Sequence, residues 1–90
     1  MTPADRPFLP RGVRLHQDLV RGVPVLLGPE TALMLDPVGQ AVLAEVDGRR
    51  DIAAISEALA ERYAAPVEMI QSDVIEFLDD MAARRLVEVA

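Results

Sequence analysis

The segment Val67 to Val89, VEMIQSDVIEFLDDMAARRLVEV, limits the possible folds more than any other stretch of the chain. Val67, Ile70, Val74, Phe77, Leu78 and Met81 recur at steps of three and four, which aligns them as one apolar stripe on a helix. The opposite face carries Glu68, Asp73, Glu76, Asp79 and Asp80. Arg84 and Arg85 stand in the last turn, where the helix dipole favours cations. Leu86 and Val89 carry the apolar line past the helix end. Such a stripe has to be buried against a core, and the acidic face has to meet water or a partner.

The core available for this is small and aliphatic. The chain has 90 residues, one tyrosine, two phenylalanines and no tryptophan, so a single domain built on Leu, Val, Ile, Ala and Met is expected. The absence of cysteine excludes disulfides, a thiol nucleophile and a zinc–thiolate site. The opening MTPADRPFLP has no apolar signal region and no run reaches membrane-spanning length, so a cytoplasmic location without membrane contact is expected. Charge is unevenly spread. Residues 1–27 hold four arginines against two acids, and residues 28–90 hold five arginines against thirteen acids, for a net charge of −6. Most of such a surface repels phosphate backbones, so no nucleic acid is expected as a partner.

In chain order, residues 1–11 contain Pro3, Pro7 and Pro10 and no period, and read as a flexible arm. Residues 12–90 read as the folded domain. Val13, Leu15 and Leu19 alternate with Arg14, His16 and Asp18, the pattern of a strand with one wet face. Gly22 marks a turn, Val23 to Leu27 a second strand, Gly28-Pro29-Glu30 a second turn, and Thr31 to Leu35 a third strand. Pro24 cannot donate a ladder bond and belongs near a strand start or an edge. Asp36-Pro37 then opens a helix with Val38, Ala41, Val42 and Val46 on its stripe, and Asp47-Gly48 ends it. Asp51 caps a second helix whose inner face is Ile52, Ile55, Leu59 and Tyr63, and Ala65-Pro66 separates it from the third. The fold class is therefore α+β: a three-stranded antiparallel sheet followed by three helices, in the manner of a winged helix-turn-helix. A DNA-reading role for the third helix is opposed by its five carboxylates.

No catalytic constellation emerges. His16 is the only histidine and shares strand parity with Arg14 and Asp18, so it faces solvent. Ser56 and Ser72 lie in helices without a nucleophile-elbow sequence, and the glycines form no phosphate cradle. Asp79 and Asp80 diverge around the helix and read as a solvated face, and Glu30 as turn chemistry. No enzyme activity, cofactor or metal is expected. What remains is a sheet edge. Thr31, Ala32, Leu33, Met34 and Leu35 carry neither Lys nor Pro to block pairing. If the third helix lies across from that strand, Ile70, Val74 and Phe77 wall a groove, and Asp73, Glu76 and Asp80 rim it. Such a groove suits the addition of an extended peptide as a further strand.

Leu26-Leu27-Gly28-Pro29-Glu30, then Leu35-Asp36-x-x-Gly39-x-Ala41-Val42-Leu43, Asp47-Gly48, Asp73-Val74-x-x-Phe77-Leu78 and Leu86-Val87 resemble, in order and spacing, the PqqD family. The resemblance runs from about Val13 to Val89 and departs at Asp36, where the family often has asparagine. It implies a peptide chaperone of pyrroloquinoline quinone biosynthesis that binds the precursor peptide PqqA and presents it to PqqE, a radical S-adenosylmethionine enzyme. It also implies a recognition element for modified ribosomal peptides, holding a leader between the third strand and the third helix. Alternatives are a recognition module for a different modified peptide and a winged-helix transcription regulator. The chain is expected as a monomer or as an arm- or strand-swapped homodimer.

Overall fold

A computed structural model describes residues 1–20 and 22–90. Three strands, β2 (Arg14–Asp18), β3 (Val23–Leu27) and β4 (Ala32–Met34), form an antiparallel sheet in the order β2-β3-β4. Leu15, Leu26 and Leu33 stand opposite one another across it and turn toward the helices. Three helices follow, α1 (Pro37–Ala44), α2 (Ile52–Tyr63) and α3 (Val67–Ala83). The α+β class, the strand order and the three helices agree with the reading of the sequence. Pro24 lies second in the central strand, but its carbonyl accepts from the Leu35 N–H at 2.9 Å, just past the end of β4. Its missing donor therefore points where the ladder has ended.

The helix starts are chemical. Asp36 Oδ1 accepts from the Gly39 N–H at 2.7 Å with Pro37 at the first helical position, and Asp51 Oδ1 accepts from the Ala54 N–H at 2.8 Å. The connection between α1 and α2 is held by Arg50, whose guanidinium meets the Glu45 carboxylate at 2.8 Å and Asp47 at 3.2 Å. The Arg50 and Arg49 N–H groups both donate to Asp47 Oδ1 at 2.9 Å, and these bonds hold the Asp47 carboxyl down at about 2.

The ends of α2 and α3 use left-handed residues that are not glycine. Arg85 has φ 61°, the Leu86 N–H reaches back to the Met81 carbonyl and the Arg85 N–H to Ala82. Ala64, at φ 52°, closes α2 in the same way, with the Ala65 N–H on the Ala60 carbonyl. The turn after α3 drops Leu86 and Val87 into the core. Arg84 is the C-cap of α3 and Arg85 follows it, so both lie just beyond the last turn in which they were expected.

Residues 1–11 make bonds that the reading of a flexible arm did not include. Pro7–Phe8 forms β1, antiparallel to β5 (Glu88–Val89), and the Ala90 N–H donates to the Arg6 carbonyl at 2.8 Å. The Asp5 carbonyl accepts from the Ile52 N–H and the Pro3 carbonyl from the Ala53 N–H, both at 2.9 Å. Those are the first two donors of α2, orphaned in any helix, so the segment caps α2 beside Asp51. Pro7 is fully buried. Proline runs lack a hydrophobic period, and carbonyl acceptors carry no side-chain signature, so neither feature stands out in the sequence.

Two apolar assignments differ. Leu19 sits beyond β2 at the hairpin tip, 89% exposed, because the strand ends at Asp18 before the alternation does. Val38, placed on the inner stripe of α1, is 65% exposed, because it borders a cleft between the helices that no side chain fills.

Deleting residues 1–8 should remove two caps worth about 1 kcal/mol each, lowering the melting temperature by on the order of 10 °C. An unchanged melt by circular dichroism would count against this capping. The Asp47 contribution to stability should be fully present above the ordinary carboxyl value of 3.8 and lost as pH falls toward about 2. The melting-temperature gap between the wild type and Asp47→Ala should therefore be widest near neutrality and close by about pH 2.

Candidate functional site

β4 is an edge strand. It pairs with β3 on one side, and among the described residues no strand lies on the other. The Gly28 N–H bond to the Thr31 carbonyl and the Leu35 N–H bond to Pro24 fix the parity. Thr31, Leu33 and Leu35 turn their backbones toward β3, and Ala32 and Met34 turn theirs away. The side chains of Leu33 and Leu35 go into the core, whereas those of Thr31, Ala32 and Met34 are exposed. Of the five strand positions expected at the site, three thus present side chains to solvent, and Leu35 is buried.

On α3, Val74, Leu78 and Met81 are buried. Ile70 and Phe77 are half-buried, and Asp73, Glu76 and Asp80 are exposed one and two turns apart. Asp73, Glu76, Phe77 and Asp80 surround a shallow acidic depression. The start of α1, which follows β4 directly in the chain, meets α3. Gly39, one turn into that helix, lies so close to Phe77 that a Cβ on it would stand 3.1 Å from Phe77 Cε1 and 3.3 Å from Asp36 Oδ1. A side chain there would make Phe77 or Asp36 shift by a few tenths of an ångström.

The α3 residues also border a space that the sequence did not single out. Ile70, Asp73, Val74 and Phe77 from α3, Val38, Ala41 and Val42 from α1, and Leu59 and Tyr63 from α2 line a cleft of about 180 Å³. The signal was present, since all five α1 and α2 residues were assigned to inner helical faces. Periodicity marks a face as apolar without telling whether the neighbour fills it. Tyr63, expected inside, is 51% exposed at the mouth.

The remaining polar candidates stand apart. His16 is exposed on β2, the far edge of the sheet from β4. Among the described residues no group of three or more His, Cys, Asp or Glu is placed to hold a metal. Ser56 is fully buried on α2, and its Oγ has no hydrogen-bond partner there. Asp80 pairs with Arg84 at 3.4 Å, both exposed. No helix is long and apolar enough to cross a membrane among the described residues.

This architecture has known counterparts. The family described as coenzyme PQQ synthesis protein D (PqqD) matches residues 25–87. A PqqA binding protein of Rhizobium meliloti is 44% identical over 81 residues, covering 90% of this chain and 83% of its own. A bifunctional coenzyme PQQ synthesis protein C/D of Methylorubrum extorquens is 42% identical over 85 residues, which cover 94% of this chain and 23% of that protein. The solution NMR structure of the PqqD truncation of Methylobacterium extorquens PqqCD, a stand-alone recognition element for ribosomally synthesized and modified peptides, superposes with a TM-score of 0.84 at 41% identity. That match covers 97% of this chain and 93% of the other. TbiB1 in complex with the TbiA(beta) leader peptide shares the fold at 22% identity and a TM-score of 0.76, covering 90% and 94% of the two chains.

Phe77→Ala should cost about 2 kcal/mol, below the value for a fully enclosed phenylalanine, because the ring is half-buried. The variant should remain folded in a urea titration. A loss above about 4 kcal/mol would place the ring in the closed core instead.

Proposed function

The chain belongs to the PqqD family, and from that membership we propose that it is a non-catalytic, cytoplasmic peptide chaperone of pyrroloquinoline quinone biosynthesis. It binds the precursor peptide PqqA and presents it to the radical S-adenosylmethionine enzyme PqqE. The observation that carries the reading is the edge strand β4, which pairs with β3 on one side and, among the described residues, with no strand on the other, while Phe77 of α3 packs at Gly39 in the helix that follows it. A peptide paired to that edge gains main-chain hydrogen bonds whatever its sequence, each contributing about 1 kcal/mol net. Its side chains then meet Thr31, Ala32 and Met34 on one side and Ile70 to Asp80 on the other. Leu33, Leu35 and Val74 support this surface from the core. No step of this function breaks a bond. The chaperone supplies orientation, and the enzyme supplies the chemistry.

The reading is tested by titrating labelled PqqA into the protein and following backbone amide shifts. Shifts should concentrate in residues 31–35 and 70–80 and leave β2 nearly unmoved, since β3 separates it from the site. Ala32→Pro removes a donor directed away from β3 and should weaken binding about tenfold with the helix content intact. Shifts confined to β2 and the first hairpin would overturn the assignment.

A further inference from the structure

We infer that the cleft between α1, α2 and α3 takes one apolar side chain of the bound peptide, and that a lysine or arginine next to it in the peptide meets Asp73. This rests on the strand-addition reading but concerns a different surface from the strand edge. The cleft is built for a single group. Its volume of about 180 Å³ is comparable to cavities that hold one benzene-sized molecule. Its floor is Ala41, Val42, Leu59 and Val74, all buried, so an occupant is desolvated on entry. Val38 and Tyr63 stand at its mouth, each more than half exposed, which leaves large apolar surface in water until something covers it.

The position fits a peptide already lying on β4. Leu35 and Asp36 lead directly from that strand into Pro37 and Val38. An extended segment passing the Leu35 end of β4 therefore arrives at the cleft mouth. Charge selects the neighbour of the anchoring side chain. Among the described residues Asp73 is the only carboxylate lining the cleft, and Glu76 lies one turn further along α3. Among the described residues neither has an ion-pair partner. An apolar anchor followed by a cation satisfies both the pocket and its rim. An acidic neighbour is repelled on the Asp73 side, since the one cation at the mouth, Arg62, lies over the Tyr63 ring at 5.4 Å among the described residues.

The test is a binding cycle with fluorescein-labelled PqqA and a set of its single alanine variants, read by anisotropy. Val38→Trp plugs the mouth from an exposed position, and Asp73→Asn removes the charge at constant shape. Val38→Trp should weaken binding about tenfold, and one apolar position of PqqA should show the same loss on the wild type but little further loss on Val38→Trp. Asp73→Asn should weaken binding several-fold at low salt, couple to a Lys or Arg adjacent to that position, and approach wild type at about 0.5 M salt. Wild-type affinity for Val38→Trp and Asp73→Asn, with binding lost in Ala32→Pro, would overturn the inference while the strand reading stands. A loss in Val38→Trp shared by no apolar position of the peptide would overturn it as well. Retained binding in all three variants would remove both.

Discussion

The domain depends on how α3 divides its apolar stripe. Val74, Leu78 and Met81 close onto the sheet and α2, where they are almost wholly buried. Ile70 and Phe77 lie on the neighbouring line and are only half covered. A wider sheet or a fourth helix would bury both lines. Three strands and three helices bury one, and the second becomes the wall of an open cleft. The incomplete core of a 90-residue chain is thus also the source of its open apolar cleft. The acidic residues of α3 follow from the same division, because the helix must stay soluble beside an uncovered apolar line.

Local chemistry was the part of the fold most legible in the sequence. Asp36-Pro37 and Asp51 opened helices where caps were expected, and both carboxylates accept from the donor three residues on. The hairpin at Gly28 to Thr31 and the strand parity followed from turn residues and period. What was illegible depended on partners distant in sequence. The pairing of Pro7–Phe8 with Glu88–Val89 has two residues per strand, too few for any period to register. The ends of α2 and α3 use Ala64 and Arg85 in left-handed geometry, which composition assigns to glycine. Burial of Leu86 and Val87 after the turn offsets the strain at Arg85.

The candidate site was half legible. An unblocked edge and an amphipathic helix can be read from spacing alone, and the structure brings Ile70, Asp73, Val74 and Phe77 together. The α1 and α2 walls of the cleft were invisible as walls, because an inner-facing residue and a pocket-lining residue carry the same signal. Gly39 is the one position where the sequence held a hint. A glycine inside a short helix weakens it, and its use beneath Phe77 shows that the ring is brought down onto the start of α1.

The clasp between β1 and β5 bears on how the chain finds this structure. It joins residues 6–8 to residues 88–90, so its contacts span nearly the whole sequence. Closing a loop of that length is entropically costly and returns only a few hydrogen bonds, so the clasp gains most once the core between its strands has formed. It therefore belongs late on the folding route and early on the unfolding route, opening as a local unit while the sheet and helices persist. In a chain without cysteine, a reversible backbone clasp fills the place a disulfide would take. It sets both ends of the folded unit beside each other, so a neighbouring domain joined at either end is tethered at one place on the surface.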